Sequence, residues 1–215
     1  MIKPLSFTSL KGISDKTVAI HHDKLYAGYV TKKDEIAGKL QALEHGGDVS
    51  TANQSFSELR ALKDGETFAV NGVYLHEWYF DALGGDGAAT GSLVDALAVQ
   101  YGSLENFIVY FSACGMAARG WVVLCWDTHD LAFRIYTGDA HNQGGVWGCL
   151  PLLVLDVYEH AYFLDYGADR KAYIADWWKN LHWQKIDAMY QKIKTTSFLL
   201  GLSRLAKDEA FSADS

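Results

Sequence analysis

The sequence predicts an α+β protein, with a helical hairpin in the N-terminal half and a mixture of strands and helices in the C-terminal half. Two observations support this class. His21, Leu25 and Tyr29 recur every four residues, which is the spacing of one face of a helix. From Trp121 onward the apolar runs become short and rich in β-branched and aromatic residues, as is typical of strands. Helices that precede a block of strands and helices favour the α+β class.

The N-terminal half predicts two helices. The first spans residues 14–45, can be capped by Ser14 or Asp15, and is broken by the glycines at 46–47. The second spans residues 71–82, where His76 shares a stripe with Tyr79 and Phe80. The glycine-rich stretch 84–87 then predicts a domain boundary, with an N-terminal domain over 1–85 and a C-terminal domain over 86–202.

The C-terminal half predicts helices over 91–101 and 103–116, the second of which starts at Ser103. Strands are predicted over 121–126, 131–136 and 152–155, and the first two form a hairpin across residues 127–130. Residues 169–195 then return to helix. The tail over 203–215 is polar, and we expect it to be frayed.

The composition of the chain limits the classes of function and partner that it can have. The chain has 215 residues and a net charge of −7, which argues against nucleic acid as a partner. It contains no apolar run long enough to cross a membrane and no signal-peptide core, so we expect a cytoplasmic protein without a membrane partner. The three cysteines have no paired spacing and predict buried, reduced thiols.

A carboxylate and an imidazole stand four residues apart directly after an apolar strand. Asp156 ends this strand and His160 follows it, so the two side chains can point an oxygen and a nitrogen at one place. In isolation such a pair is more often a capping Asp and a surface His. His21 and His76 occupy similar settings upstream, and together the four favour a site for iron or manganese, which accept mixed nitrogen and oxygen ligands.

The motifs around these residues resemble the iron/manganese superoxide dismutase family. The family signature Asp-x-Trp-Glu-His-Ala-Tyr is here Asp-Val-Tyr-Glu-His-Ala-Tyr over 156–162. His-His-Asp-Lys over 21–24 and Asn-Gly at 71–72 followed by His-Glu-Trp-Tyr-Phe over 76–80 are similar to the two ligand helices of the family. The resemblance covers roughly residues 5 to 195 in the family order, which is far more specific than any one motif.

The resemblance implies a helical hairpin domain, a domain with a three-stranded antiparallel sheet, and dismutation of superoxide by one iron or manganese ion per subunit. It also implies a homodimer or tetramer, in which Glu159 reaches the ligand His160 of the partner subunit. Tyr29 matches a gateway tyrosine that can relay a proton, and Trp121 and Tyr158 match walls of the pocket. The implied metal ligands are His21, His76, Asp156 and His160.

The residue that hydrogen-bonds the metal-bound solvent stays open between two positions. His141 lies fifteen residues before Asp156, a spacing found in some members of the family, and is favoured over Gln143. As indications of which metal is bound, Gly72 favours manganese and Val154 favours iron. We expect iron, or either metal.

The chain departs from the family pattern at the gateway. Leu25 and Phe163 stand where typical members carry a His and a Tyr that bond across the dimer interface. Loss of both polar groups predicts a drier gateway that leaves Tyr29 as the main path for protons. Because superoxide is an anion and the chain is acidic, capture needs a local positive region, for which Lys24 and Arg170 are the candidates. The alternative functions are another mononuclear metal enzyme and a structural module with weak or no dismutase activity.

Overall fold

The N-terminal hairpin starts with one long helix that changes from α-helical to π-helical geometry over His21–Tyr26 and then returns to α-helix. The structure is a computed structural model and describes residues 1–199. The helix consists of α1 (Asp15–Ile20), a π-helical segment (His21–Tyr26) and α2 (Ala27–Glu44). The hydroxyl oxygen of Ser14 accepts the N–H of Thr17 and caps α1, as predicted. A π segment inside an α-helix often marks a functional position.

The second helix of the hairpin is longer than the sequence predicts. It is α3 (Glu58–Asp81), which is capped by Ser57 and packs along α2. The first part of α3 is polar and includes Gly65. Its apolar stripe is therefore narrow, and the sequence pattern does not reveal this part as a helix. Tertiary packing stabilises this part, because Ala69 joins Ile36 and Leu40 of α2 in a small core of their own.

Two shorter helices follow the hairpin close to their predicted bounds. They are α4 (Ser92–Tyr101) and α5 (Leu104–Ala117). Gly102 separates them in a left-handed conformation, with φ of 82°, and the Ser103 hydroxyl accepts the N–H of Asn106 at the start of α5.

The sheet has three antiparallel strands, which confirms the predicted fold class. They are β1 (Trp121–Asp127), β2 (Ala132–Gly138) and β3 (Cys149–Asp156), in the order β2-β1-β3. Trp121 pairs with Gly138 on one side and with Asp156 on the other. This register places the start of β1 and the ends of β2 and β3 at the same end of the sheet.

The predicted return to helix over 169–195 consists of two helices with a break between them. A turn of 3₁₀-helix (Glu159–Ala161) and α6 (Phe163–Tyr166) precede α7 (Arg170–Trp178), and α8 (Trp183–Leu199) follows a break. In the break, Leu181 forms an isolated β-bridge with Leu83, and the His182 N–H donates to the carbonyl of Ala82. A side chain at Gly85 would lie 2.2 Å from the Leu181 carbonyl oxygen, so this close approach of two backbones requires glycine.

One continuous core runs through both halves of the described chain. It contains Tyr26 and Tyr79 from the hairpin and Val122, Leu155 and Trp177 from the second half. The division at residue 85 stays a prediction. The predicted tail over 203–215 and the last residues of the predicted C-terminal domain lie outside the described residues.

Three further features concern the surface and the thiols. Within residues 1–199, none of the helices combines the length and the apolar character that a membrane span requires. Cys125 is buried, but the prediction of buried thiols is wrong for Cys114 and Cys149, which are half-buried. All three cysteines are free.

Candidate metal centre

Four side chains from four separate elements converge on one point. His21 opens the π segment, His76 lies on α3, Asp156 ends β3, and His160 sits in the 3₁₀ turn. One ligand atom from each lies within 4.8 Å of the others. The fold therefore brings together all four residues that the sequence predicts as ligands, two from each half of the chain.

Asp156 is held from two sides so that one carboxylate oxygen faces the imidazoles. Its Oδ1 accepts the backbone N–H of Tyr158 at 2.9 Å, and its backbone carbonyl accepts the hydroxyl of Tyr173 at 2.8 Å. Its Oδ2 lies 3.1 Å from Nε2 of His21 and 3.2 Å from Nε2 of His160. Asp156 is fully buried, so these contacts set its orientation without competition from bulk water.

His76 carries the clearest indication that these side chains bind a cation. Its Nδ1 lies 2.5 Å from the carbonyl oxygen of Gly72, so Nδ1 bears the proton and Nε2 bears the lone pair. That lone pair faces Oδ2 of Asp156 at 3.8 Å. His76 is fully buried, and its Nε2 has no hydrogen-bond partner among the described residues. Two electron-rich atoms that face each other in a dry interior fit a bound metal ion.

The electrostatics favour neutral imidazoles at His21 and His76 and a charged carboxylate at Asp156. At His160 burial alone would lower the pKa, but the charge and hydrogen bond of Asp156 outweigh it and raise the pKa. Burial lowers the pKa of His76 to about 3 and also lowers the pKa of His21. For Asp156 burial alone would raise the pKa, but the charge of His160 and the hydrogen bonds from His160 and His21 outweigh it and hold the pKa below its ordinary value. Neutral imidazoles and a charged carboxylate are the state in which these groups coordinate a cation.

His141 joins the centre from the β2–β3 loop. It is buried, and its Nδ1 accepts the indole N–H of Trp121 at 2.9 Å. Its ring centroid lies 4.6 Å from that of Tyr29 and 5.9 Å from that of His76. Burial lowers the pKa of His141 to about 4, so its ring is neutral at physiological pH. Gln143, the alternative to His141, is exposed.

Gly72 leaves room for the ring of Tyr29. A Cβ at this position would lie 2.8 Å from two carbon atoms of the Tyr29 ring. The sequence suggested Gly72 only as a marker of the metal. The structure gives it a packing function, because any side chain at 72 has to displace Tyr29.

Tyr158 forms a wall of the centre and Glu159 points outward. The ring of Tyr158 stacks on that of His160, with centroids 5.4 Å apart, and its hydroxyl donates to the carbonyl of Asp139 at 3.0 Å. Burial raises the pKa of Tyr158 to about 12, so it stays protonated. Glu159 is exposed at the start of the 3₁₀ turn.

The two steering candidates have different surroundings. Lys24 is exposed on the π segment. Arg170 is half-buried, and its guanidinium donates to the Ala118 carbonyl at 2.7 Å and to the Tyr162 hydroxyl at 3.2 Å. These bonds give Arg170 a structural role that the sequence did not suggest.

Two tyrosines behind the centre were missed by sequence reasoning. Tyr79 lies under His21, with ring centroids 5.1 Å apart, and its hydroxyl is 3.2 Å from that of Tyr173. Because Tyr173 donates its own proton to the Asp156 carbonyl, Tyr79 is the donor of this pair. Periodicity placed Tyr79 on a buried stripe, but no local signal links it to Tyr173.

The fold and these four side chains define a protein with a three-histidine, one-aspartate group that can hold a metal ion. Residues 89–189 match the profile of the C-terminal domain of iron/manganese superoxide dismutases. An iron superoxide dismutase of Aquifex pyrophilus is 39% identical over 186 residues, which are 86% of this chain and 87% of that relative. An iron enzyme of Cupriavidus metallidurans is 36% identical over 86% of this chain and 92% of its own, and a manganese superoxide dismutase of Halobacterium salinarum is 34% identical over 80% and 84%. The chain belongs to the iron/manganese superoxide dismutase family, and the resemblance predicted from its motifs is confirmed.

Proposed function

We propose that this protein is a superoxide dismutase, which converts two superoxide anions and two protons to oxygen and hydrogen peroxide. The observation that carries the proposal is the lone pair of His76 Nε2, which is buried beside the carboxylate of Asp156 and has no hydrogen-bond partner within residues 1–199. A cation bound by His21, His76, Asp156 and His160 satisfies this atom. When bound, iron or manganese supplies the one-electron redox cycle that the reaction requires.

His141 is proposed as the donor to solvent at the centre. The Trp121 N–H occupies its Nδ1, so the ring proton must stand on Nε2. His141 can then only donate from Nε2, which suits an acceptor such as a hydroxide. The exposed position of Gln143 supports the choice of His141.

Tyr29 is proposed as the main path for protons. It is half-buried beside His141, and burial raises the pKa of its hydroxyl, so the phenol keeps its proton at neutral pH. Leu25 and Phe163 offer no polar group at the gateway, which supports a single proton path through Tyr29.

Iron is the metal we favour, with use of either metal as the alternative. The space that Tyr29 requires accounts for Gly72, so Gly72 no longer argues for manganese. Val154, which favours iron, is fully buried in β3 two residues before Asp156. The relatives include enzymes named for iron and for manganese.

A homodimer through Glu159 is part of the proposal. Glu159 is exposed next to His160, whose side chain is 26% exposed. Phe163 and Leu164 stand nearby with 54% and 50% of their surface in solvent. Burial of these apolar side chains would stabilise a contact in which Glu159 reaches the partner subunit.

The three free cysteines suit a reducing compartment, and we propose a cytoplasmic location.

The test is metal binding and dismutase activity of His76→Ala. Wild-type protein and the variant are purified after growth with iron or with manganese, and metal content and activity are measured for each. We expect about one metal per wild-type chain, and little metal and no activity in His76→Ala. His45→Ala is the control, because His45 is exposed at the end of α2.

Each outcome identifies one function. Wild-type metal content in His76→Ala would refute the ligand assignment. A metal-loaded wild-type protein without dismutase activity would indicate another mononuclear metal enzyme. A folded protein that takes up neither metal would indicate a structural module.

A further inference from the structure

The π segment changes the direction in which Tyr29 points. An α-helix rotates by about 100° per residue, so side chains eight residues apart, such as those of His21 and Tyr29, would differ in direction by about 80°. In a π turn the hydrogen bond reaches back five residues instead of four, which takes up one extra residue. The Ala27 N–H accordingly donates to the carbonyl of His22. Counted as seven α-helical steps, the directions of His21 and Tyr29 differ by only about 20°.

The positions of the rings agree with this count. The ring centroid of His76, on α3, is 4.9 Å from that of His21 and 5.4 Å from that of Tyr29. Both side chains therefore face the same ligand. Loss of the extra residue would rotate Tyr29 by about 100° away from His76 while His21 keeps its place, so the position of Tyr29 depends on the π segment.

Two side chains of the π segment bind one residue near the N-terminus. The Nε2 of His22 lies 2.8 Å from the Lys3 carbonyl oxygen, and the Lys3 N–H donates to the Tyr26 hydroxyl at 2.9 Å. The rings of His22 and Tyr26 also contact each other, with centroids 5.2 Å apart. The Lys3 ammonium pairs with Asp81, the last residue of α3. Lys3 thus bridges the π segment and α3.

Tyr26 connects the π segment to α3 directly. It is buried, and its hydroxyl donates to Oε1 of Glu77 at 2.8 Å. Glu77 is the neighbour of the ligand His76 on α3, and the ring of Tyr26 stacks on that of His76 with centroids 6.3 Å apart. A hydrogen bond to a carboxylate is stronger than one between neutral groups. The two helices that carry His21 and His76 are therefore joined by a strong bond next to a metal ligand.

We propose that Tyr26 is a positioning residue, whose hydroxyl, bound to Glu77 and Lys3, holds the π segment and so keeps Tyr29 beside His76. π-helical turns are rare, and this one has hydrogen bonds to two other parts of the chain. The inference rests on the proposed role of Tyr29 in the delivery of protons.

The first measurement is hydrogen exchange of the backbone amides over residues 20–30, by mass spectrometry, in the metal-free and the metal-loaded protein. Tyr26→Phe keeps the ring and removes both hydrogen bonds of the hydroxyl. Tyr166→Phe is the matched control, because the Tyr166 hydroxyl also donates to a carboxylate, that of Asp176, at 2.8 Å but lies outside the π segment. We expect exchange over residues 20–30 to be at least about tenfold faster in Tyr26→Phe and unchanged in Tyr166→Phe.

The second measurement is a double-mutant cycle on kcat per bound metal. Tyr26→Phe should keep the metal content of wild type, because all four ligands remain. Its kcat should fall by about tenfold or more, since a displacement of about 1 Å can cost on the order of 100-fold in rate. In a Tyr29→Phe background, Tyr26→Phe should have little further effect, because the group that it positions is already absent. A tyrosine with only a structural role would lower kcat by the same factor in both backgrounds.

Wild-type exchange over residues 20–30 in Tyr26→Phe would overturn the proposal. Faster exchange with unchanged kcat, or equal losses of kcat in the two backgrounds, would overturn the link to Tyr29. A metal-loaded wild-type protein without dismutase activity would refute the proposed function and the role of Tyr29, whereas the exchange result would still decide whether Tyr26 holds the π segment.

Glu77 provides a second pair of variants in case Tyr26→Phe does not fold. The amide oxygen of Gln can still accept the Tyr26 hydroxyl, so Glu77→Gln should match wild type in exchange and in kcat. Glu77→Ala removes the acceptor and should change both in the direction expected for Tyr26→Phe. A Glu77→Ala variant with wild-type exchange and kcat would overturn the proposal.

Discussion

Substitution of Tyr173 by Phe should weaken the support of the metal centre without touching a ligand. The hydroxyl of Tyr173 donates to the Asp156 carbonyl at 2.8 Å and accepts from Tyr79 at 3.2 Å. All three residues are buried, so Tyr173→Phe leaves one acceptor and one donor without partners in a dry interior. The Tyr79 hydroxyl is then the orphaned donor and the Asp156 carbonyl the orphaned acceptor.

The loss in the free energy of unfolding follows from the number of groups left without a hydrogen-bond partner. Each buried group without a partner costs about 1–3 kcal/mol, and partial relaxation gives about 3 kcal/mol in total. For a chain of this size, that free energy corresponds to a Tm lower by roughly 6–12 °C. Tyr79→Phe should cost less, about 0.5–1.5 kcal/mol, because the bond from Tyr173 to Asp156 remains.

The assay is thermal and denaturant unfolding of the metal-free and metal-loaded forms of both variants and of the double variant. Removal of both hydroxyls leaves no unpaired donor, so the double variant should cost less than the sum of the single variants. Tyr74→Phe, on an exposed side of α3, is the control and should be close to silent. A Tyr173→Phe variant within about 0.5 kcal/mol of wild type, or one more stable than Tyr79→Phe, would refute the reasoning.

Two further predictions concern solvent and substrate. His141→Ala should change the midpoint potential and the ratio of iron to manganese bound, whereas Gln143→Ala should leave both unchanged; the reverse result would show that Gln143 has the role assigned to His141. Wild-type activity should fall as salt rises, because charges are screened over about 10 Å at 0.1 M ionic strength. The double variant Lys24→Gln, Arg170→Gln should flatten this dependence, with activity expressed per bound metal because Arg170 also bonds the Ala118 carbonyl. If the double variant keeps the salt dependence of wild type, the attraction of superoxide does not come from Lys24 and Arg170.

Features that depend on neighbours along the chain could be predicted from the sequence. Ser14 and Ser103 cap helices where predicted, because a capping hydroxyl bonds an N–H only three residues away. The strand that ends at Asp156 was visible as an apolar run. Asp156 and His160 were recognisable as a pair, since both come from one short segment.

Features that depend on distant partners could be seen only in the folded chain. The break between α7 and α8 exists because residues 181 and 182 pair with Leu83 and Ala82, about a hundred positions away along the chain. The support of Asp156 by Tyr173 and the space at Gly72 are likewise set by packing. Helical and strand periodicity reports which face of an element is apolar. It does not report which element covers that face, because burial and buried hydrogen bonds form between segments that meet only in the folded chain.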